Sequence, residues 1–331
     1  ERYMFSDSTN YYTYQLMVLR LTLIVQDIQN DTKELIMALS ELSSNFNDYQ
    51  SFLFHSCVGS YYSFMLDYNS TLQAYEKAIE YYKRINIEKW EEADFQYLLG
   101  HCYLTQQRWV ISIEYIQKSL EFFKSGFYNS RVVECYLILA IAKDESYQHE
   151  ESYQNLLLAQ KIAYQLNMKE HFPIITQNLG NTASVRGFSQ KAIEYFLESI
   201  AVRESHEEKL PTIYSLVKEY SKLRNSNEII KWAEHGLSII SENQNLSNQI
   251  YEHHLKVYLT KEADPILFEK VTIEAFNFFK EIKDYRHAQK YSLLLGNFYQ
   301  ELNKYKNAAK YFAYSNENMF KKQKISYWED L

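Results

Sequence analysis

A spacing of about 40 residues between small side chains constrains this 331-residue chain more than any other feature of its sequence. In its clearest form, a small residue is followed by an aromatic residue three positions later and by a second small residue twelve positions later, as in Gly100, Tyr103 and Ser112. The first residues of five such sets are Gly59, Gly100, Ala140, Gly180 and Gly296. Two further units of similar length fit before the last set, near Val217 and Lys256, so the spacing predicts seven units.

This pattern is typical of two antiparallel helices per unit. Helices whose axes are about 8 to 10 Å apart need small side chains where they cross. A single hairpin cannot bury its apolar face alone, so consecutive hairpins stack on one another. The pattern matches the tetratricopeptide repeat (TPR), with its usual length of about 34 residues extended to about 40. We therefore predict an all-α chain, a right-handed superhelix of TPR-like helical hairpins; an irregular helical bundle is the alternative.

The scarcity of turn-forming residues agrees with a helical fold. The chain has only 7 Gly and 3 Pro, whereas average proteins contain about 7% and 5% of these residues. A β-sandwich or barrel needs a turn every 8 to 12 residues or so, which this composition excludes. Aromatic residues make up 16% of the chain, and their apolar area argues against disorder.

The segment before the first unit does not follow the spacing. It contains two predicted helical stretches, 11–29 and 33–43, and Asp31 with Glu34 resembles a capping box near the start of the second. We therefore predict two domains, an N-terminal helical segment over 1–48 and a TPR-like repeat domain over 49–331. Beyond Ala313, the tail is expected to complete the last helix.

Charge and hydropathy limit the possible partners. A formal net charge of −7 disfavours direct binding of nucleic acid, and no apolar stretch approaches the ~20 residues that span a membrane. No secretion signal is recognisable, and the three cysteines suit buried, reduced thiols. We therefore expect a cytoplasmic protein. Because residue 1 is Glu rather than Met, we also expect that the sequence is trimmed or a fragment.

Sequence motifs for catalysis are missing. No GxxxxGK[ST], GxGxxG, GxSxG or HExxH stretch occurs. The adjacent His253 and His254 would point about 100° apart on a helix, so we expect exposed or packed histidines rather than a metal pair. No catalytic residue, cofactor or metal site is predicted.

The concave face of the predicted superhelix is the candidate binding site. Positions three before, one after and four after each unit's first residue share one stripe of the first helix. An asparagine amide can both donate and accept, so it can hold one peptide group of an extended ligand whatever its sequence. Charged side chains could then select side chains of the ligand; simple solvation of the polar wall is the alternative. The candidate residues on this stripe are Asn181, Gln177, Asp144, Tyr97, His101, Tyr214, Lys218 and Asn297, and Asn178 adjoins it two residues before Gly180.

Several stretches resemble one family of bacterial regulators. The stretch 14–17 (YQLM) with Arg20 resembles the front segment of the Rap proteins of Bacillus. Further similar stretches are 74–82 (AYEKAIEYY), 92–95 (EADF), 127–131 (FYNSR), 178–181 (NLGN) and 209–211 (KLP). From about residue 11 to the end, the chain resembles the RRNPP-type peptide-sensing receptors, which include Rap, NprR and PlcR.

The resemblance implies a cytoplasmic quorum-sensing receptor for a short, re-imported signalling peptide bound in the concave groove. It implies that Asn178 contacts the peptide backbone and that Asp144 meets a basic end of the peptide. It also implies that peptide binding switches the binding of the front segment to a response regulator or, through a DNA-binding domain absent from this chain, transcription. A second copy of the chain is a further candidate partner. NprR-like members carry an amino-terminal helix-turn-helix that reads DNA, and no such motif is recognisable in this sequence.

Two alternatives to a switched receptor remain open. One is a Rap-type aspartate phosphatase, which hydrolyses the phospho-aspartate of a response regulator with a water-orienting glutamine. By the resemblance, Ser8 stands in place of that glutamine, and a serine is too short to hold the water as an amide does. The other alternative is a TPR scaffold that docks protein tails without regulation.

Overall fold

The structure, a computed structural model, describes residues 8–25, 30–65, 67–241, 245–261 and 264–323. These residues form sixteen α-helices and three short 3-10 turns, and no strand occurs among them. The chain divides into two compact units, Glu1–His171 and Phe172–Leu331. The predicted all-α fold is confirmed.

The first unit contains eight helices. They are α1 (Ser8–Ile24), α2 (Asn30–Leu42), α3 (Asp48–Phe64), α4 (Tyr68–Tyr82), α5 (Lys89–Thr105), α6 (Trp109–Ser125), α7 (Asn129–Glu145) and α8 (His149–Gln165). From α3 onward they form three hairpins, and the predicted first residues Gly59, Gly100 and Ala140 lie on α3, α5 and α7.

The second unit contains the other eight helices. They are α9 (Phe172–Val185), α10 (Ser189–Val202), α11 (Leu210–Lys222), α12 (Ser226–Ser241), α13 (Leu246–Thr260), α14 (Pro265–Glu281), α15 (Tyr285–Glu301) and α16 (Tyr305–Gln323). They form four hairpins, so all seven predicted units are present. The predicted tail helix corresponds to the end of α16, and residues 324–331 lie outside the described part of the chain.

The N-terminal segment packs on the first hairpin. Leu16 and Leu19 of α1, Leu39 of α2 and Leu53 of α3 are buried in one apolar cluster. Helices α1 and α2 overlap the two predicted stretches, but α1 ends at Ile24 and α2 begins at Asn30, three residues before its predicted start. Gln29, the predicted end of the first stretch, lies outside the described residues, as does the side chain of Ser8. The domain boundary between residues 48 and 49 stays a prediction.

Glycines stand where the paired helices approach most closely. A Cβ atom added to Gly100 would lie 2.5 Å from the Ile116 side chain, and one added to Gly180 would lie 2.5 Å from Phe196. A Cβ atom added to Gly296 would likewise lie 2.5 Å from the Phe312 ring. Real Cβ atoms do not tolerate such distances, so the helix pairs need glycine here. The inference that small residues mark the crossings is confirmed at these three hairpins.

Serines at repeated positions join the helices of two hairpins, α5–α6 and α9–α10, by hydrogen bonds. Ser112 Oγ donates to the carbonyl oxygen of Gly100 at 2.7 Å, which links α6 to α5. Ser119 Oγ donates to the Ala93 carbonyl at 2.8 Å, and Ser199 Oγ makes the equivalent bond to Pro173 at 2.8 Å. A short hydroxyl therefore allows the close approach and also satisfies its own polar group.

The sixth hairpin, α13–α14, departs from the pattern. Lys256, near which its first residue was predicted, has a side chain that is 44% exposed and forms an ion pair with Glu252. In α11, by contrast, Val217 is fully buried as predicted. The close approach shifts to the neighbouring pair of helices, because a Cβ atom on Gly236 of α12 would lie 2.5 Å from Leu255 of α13.

The three cysteines are buried free thiols, as predicted. Burial raises the pKa of Cys57 to about 12, so this thiol stays protonated at neutral pH. Within the described ranges, no helix has the length and apolar character needed to cross a membrane.

Candidate functional site

Two candidate residues of the first unit line a cavity. Tyr97 and His101 lie on α5 and face a space of about 370 Å³ that Arg20 of α1 and Arg131 of α7 also line. The Arg131 guanidinium lies 4.5 Å from the centre of the Tyr97 ring. Burial raises the pKa of the Tyr97 hydroxyl and lowers the pKa of His101. Both side chains are therefore neutral at pH 7 inside a cavity that also contains ionised groups.

Those ionised groups form a network that sequence reasoning did not predict. Arg20 donates to Glu91 at 2.7 Å and to Asp94 at 3.0 Å. Arg131 donates to the other oxygen of Asp94 at 3.1 Å and to Glu134 at 2.9 Å. The network joins α1, α5 and α7. Arg20 and Asp94 belong to stretches that carry the family resemblance, but their pairing depends on how the helices pack.

Asp144 is partly occupied by a neighbour. Its Oδ1 atom lies 2.7 Å from Nδ1 of His149, and the two residues flank the turn between α7 and α8. A ligand amine would have to share this carboxylate with the imidazole. Its predicted role at a basic end of a peptide stays a prediction.

The three amide candidates of the second unit lie on α9 and differ in their bonding. Gln177 Oε1 accepts from Arg203 at 2.7 Å and from Thr212 at 2.9 Å. Asn178 Nδ2 donates to the Ile174 carbonyl of its own helix at 2.8 Å, and its amide oxygen accepts no hydrogen bond from a residue that the structure describes. The half-buried Asn181 side chain makes no hydrogen bond with any residue the structure describes. The Asn181 amide therefore keeps its full donor and acceptor capacity for a ligand.

Tyr214 and Lys218 lie together on α11. The Lys218 Nζ atom is 5.6 Å from the centre of the Tyr214 ring. The His254 ring stacks on Tyr214, with the two ring centres 4.4 Å apart. Lys290 of α15 donates a 2.6 Å hydrogen bond to the Tyr214 hydroxyl. Burial raises the pKa of Tyr214 and lowers the pKa of Lys218. These two candidates thus belong to a larger cluster of aromatic and basic side chains.

Asn297 is exposed on α15, at the edge of a cavity of about 180 Å³ that Tyr258 and Lys290 also line. Sequence reasoning missed Lys290 and Tyr258. Lys290, Leu293 and Asn297 follow the i, i+3, i+7 spacing of one helix face. Extending the predicted stripe by one turn towards the start of α15 would have found Lys290.

Known proteins resemble this chain along most of its length, although no protein-family model matches it. The transcriptional activator NprA of Geobacillus stearothermophilus is 27% identical over 287 residues, which cover 84% of this chain and 70% of NprA. Response regulator aspartate phosphatase A of Bacillus subtilis is 27% identical over 181 residues, which cover 52% of this chain and 48% of that protein. The chain therefore resembles RRNPP-type TPR regulators in its sequence.

Solved structures of RRNPP-type proteins share the fold at low sequence identity. The apo form of the quorum sensor NprR from B. thuringiensis has a TM-score of 0.80 at 17% identity, covering 95% of this chain and 89% of NprR. NprR in complex with its cognate peptide NprX has a TM-score of 0.75 at 17% identity, covering 96% of this chain and 90% of that NprR chain. A Rap protein complexed with Competence and Sporulation Factor has a TM-score of 0.79 at 17% identity, covering 97% of this chain and 89% of the Rap chain. The resemblance expected from the sequence, and with it the TPR-like fold, is confirmed.

Proposed function

We propose that this chain is a cytoplasmic quorum-sensing receptor for a short signalling peptide, and that peptide binding switches its association with a response regulator or its control of transcription. Its relatives support both outputs, since NprA is a transcriptional activator and phosphatase A acts on a response regulator. An NprR structure of the same fold contains a cognate peptide. The repeat domain, 49–331, would bind the peptide.

The unoccupied amide of Asn181 is the observation that carries the peptide-binding part of the proposal. Asn181 and Asn297 occupy equivalent positions of their hairpins, one residue after Gly180 and Gly296, and neither side chain bonds to a residue that the structure describes. A peptide group offers one N–H and one C=O, which is the complement of a primary amide. Peptide binding would satisfy these amides in place of water.

The N-terminal segment, 1–48, is the proposed surface for the protein partner. Three apolar residues of α1 point to solvent at helical spacing, with exposed fractions of 37% for Met17, 60% for Leu21 and 60% for Ile24. Exposed apolar stripes of this kind mark interaction surfaces. The Arg20 network connects the same helix to α5 and α7. A movement of α5 or α7 on peptide binding would therefore shift α1 and its exposed apolar residues.

Affinity selection tests the peptide-binding proposal. The intact protein is incubated with a random library of 5- to 8-residue peptides, and retained peptides are re-synthesised and titrated by calorimetry. Saturable binding by wild type that is weakened in Asn181→Ala supports the proposal. Wild-type affinity in Ser189→Ala, a change at the start of α10, is the matched control. Absence of saturable binding to any retained peptide would leave an unregulated TPR scaffold as the better description.

An aspartate phosphatase is the second candidate function, because two relatives are response regulator aspartate phosphatases. The resemblance puts Ser8 where the water-orienting glutamine is expected, which argues against hydrolysis. Incubation with a phosphorylated response regulator separates the candidates. Phosphate release at the regulator's own rate fits a binding protein, and faster release fits the phosphatase. The variant Ser8→Gln offers a gain-of-activity comparison.

A further inference from the structure

A lysine lies among three tyrosines in the second unit. Lys290 of α15 donates a 2.6 Å hydrogen bond to the hydroxyl of Tyr214 on α11. Its Nζ atom lies 5.2 Å from the ring centre of Tyr214, 5.5 Å from that of Tyr258 on α13 and 5.0 Å from that of Tyr291 on α15. The first helices of three hairpins therefore surround one ammonium group.

This ammonium has no anionic partner in the part of the chain that the structure describes. The Lys218 Nζ atom lies 5.6 Å from the centre of the same Tyr214 ring, and it likewise forms no ion pair with a described residue. The neighbouring Glu219 pairs with Lys222 through Oε1 at 2.6 Å, and its buried Oε2 atom has no hydrogen-bond partner among the described residues. Burial, together with the charge of Lys218, lowers the pKa of Lys290 to about 7. Burial disfavours the charged form of both lysines, the charge of Glu219 offsets this only partly at Lys218, and an added anion would favour the charged form of Lys290.

Other titratable groups of the cluster do not supply the missing charge. His254 is buried, bonds through Nδ1 to the hydroxyl of Tyr291 and has a pKa lowered well below its usual value. Asp284 is paired with His287 at 2.6 Å. The imidazole of His254 is thus neutral at pH 7 and the Asp284 carboxylate is paired with His287, so neither residue supplies a negative charge to Lys290.

Lys290 borders open space. A cavity of about 180 Å³ is lined by Lys290, Tyr258, Lys261 and Asn297 together with apolar side chains of α13 and α15. Its size suits a few ligand atoms rather than a whole peptide. Ammonium groups and a carboxamide provide hydrogen-bond donors, and the apolar walls suit the carbon atoms that carry an acidic group.

From this arrangement we infer that the pocket around Lys290 binds a carboxylate group of the signalling peptide. The inference rests on the proposed function for the identity of the ligand, and it assigns a subsite for negative charge to the second unit. The carboxylate is either the C-terminus of the peptide or an Asp or Glu side chain. In either case it would accept a hydrogen bond from the Lys290 ammonium and compensate its charge.

Lysine acetylation rates test the pocket without a peptide. Intact protein is treated with an N-hydroxysuccinimidyl acetate reagent at pH 7.5, with acetate as the probe and chloride keeping the ionic strength constant. Mass spectrometry then gives the rate at each lysine. A bound carboxylate favours the charged ammonium and shields it, so we expect a saturable, several-fold slowing at Lys290. Exposed Lys310, which lies 5.8 Å from the Tyr311 ring centre, is the control and should not respond.

Peptides retained by wild type then identify the source of the carboxylate. Each is compared as free acid and C-terminal amide, and with Asp or Glu replaced by Asn or Gln. We expect one of these changes to weaken binding at least tenfold in wild type and to have no effect in Lys290→Met. Lys218→Met provides a second variant, and Lys310→Met should bind as wild type does; thermal melting checks that each variant is folded.

The outcomes separate the two proposals. Peptides that bind equally well with and without carboxylates would overturn the subsite and leave the receptor proposal standing. If no peptide is retained, the receptor proposal fails and the acetate experiment alone decides whether the pocket takes carboxylates. Absence of protection at Lys290 by both acetate and peptides would overturn the inference, as would protection by inorganic phosphate that equals or exceeds that by acetate.

Discussion

Arg20 of α1 donates a 2.7 Å hydrogen bond to Glu91 of α5, and the Glu91 side chain is only 5% exposed. Removing the guanidinium leaves a buried carboxylate without its cation. We expect Arg20→Met to lower the free energy of unfolding by on the order of 3 kcal/mol in a urea titration. The double variant Arg20→Met/Glu91→Gln should recover part of this loss, because the amide carries no charge.

An exposed ion pair is the matched control for Arg20. Lys191 and Glu194 on α10 are paired at 3.0 Å with side chains that are 55% and 54% exposed. Lys191→Met should change the free energy of unfolding by less than about 1 kcal/mol. Equal losses in Arg20→Met and Lys191→Met would show that the network on α1 does not contribute more than a surface pair.

Overpacking at Gly180 should destabilise the hairpin α9–α10. An added Cβ atom would lie 2.5 Å from the Phe196 ring, so Gly180→Leu forces the helices apart or the ring out of place. We expect a loss of about 1 to 3 kcal/mol by urea unfolding. Pairing Gly180→Ala with Phe196→Leu should cost less than the sum of the single variants, because the smaller side chain leaves room. Additive losses would mean that the two positions do not share one contact.

Asn181 and Asn178 should contribute differently to peptide binding and stability. Asn181 has no bond to a described residue, so Asn181→Ala should keep the melting temperature and weaken binding of a library-selected peptide by about 1 to 3 kcal/mol in calorimetry. Asn178 already donates to the Ile174 carbonyl. Asn178→Ala should also weaken binding, through loss of its amide oxygen, without unfolding the repeats. Wild-type affinity in both variants would indicate that these amides are only solvated.

Stability should fall in mild acid partly because of His55. This residue of α3 stacks on Tyr81 at 5.8 Å, and burial, with help from Lys77, lowers the pKa of His55 from 6.5 to about 4. The unfolded chain therefore binds a proton at a higher pH than the folded chain does. Stability is lost as the pH falls from about 6.5 towards 4, by about 1 to 3 kcal/mol for this group at pH 4.

Urea midpoints of wild type and His55→Phe at pH 7 and pH 4.5 measure this contribution. The variant keeps an aromatic ring against Tyr81 and cannot be protonated, so its stability should depend less on pH. Substitution of the exposed His206 by Phe serves as the control and should leave the pH dependence as in wild type. Identical pH dependence in His55→Phe and wild type would contradict the prediction.

Much of the fold follows from local sequence pattern. Gly100, Gly180, Gly296 and Ser112 are required by helices that touch within one hairpin, and the spacing of such small residues is visible in the sequence. In the sixth hairpin the helix crossing was not predicted correctly, although the hairpin itself was. Helices α13 and α14 have no small residue at the expected position, and Lys256 is partly exposed there instead. There the close approach lies between α12 and α13, at Gly236.

The candidate site was less predictable than the fold. Helical spacing placed Gln177, Asn178 and Asn181 on α9, but it did not show that Gln177 is occupied by Arg203 and Thr212. It also selected Lys218 without Lys290, because the predicted stripe on α15 began at Leu293, one helical turn after Lys290. A stripe specifies which residues share a face, whereas their bonding depends on the helices opposite.

By itself the sequence determined the all-α class, the seven hairpins, the buried cysteines and the likeness to RRNPP-type regulators, because helix periodicity and close helix crossing act over tens of residues. Tertiary structure alone decided the pairing of Arg20 with Glu91 and of Lys290 with Tyr214, which are 71 and 76 residues apart in the chain. Such contacts depend on how successive hairpins stack. The angle and register of that stacking come from the packing of many side chains together, and no local pattern encodes them.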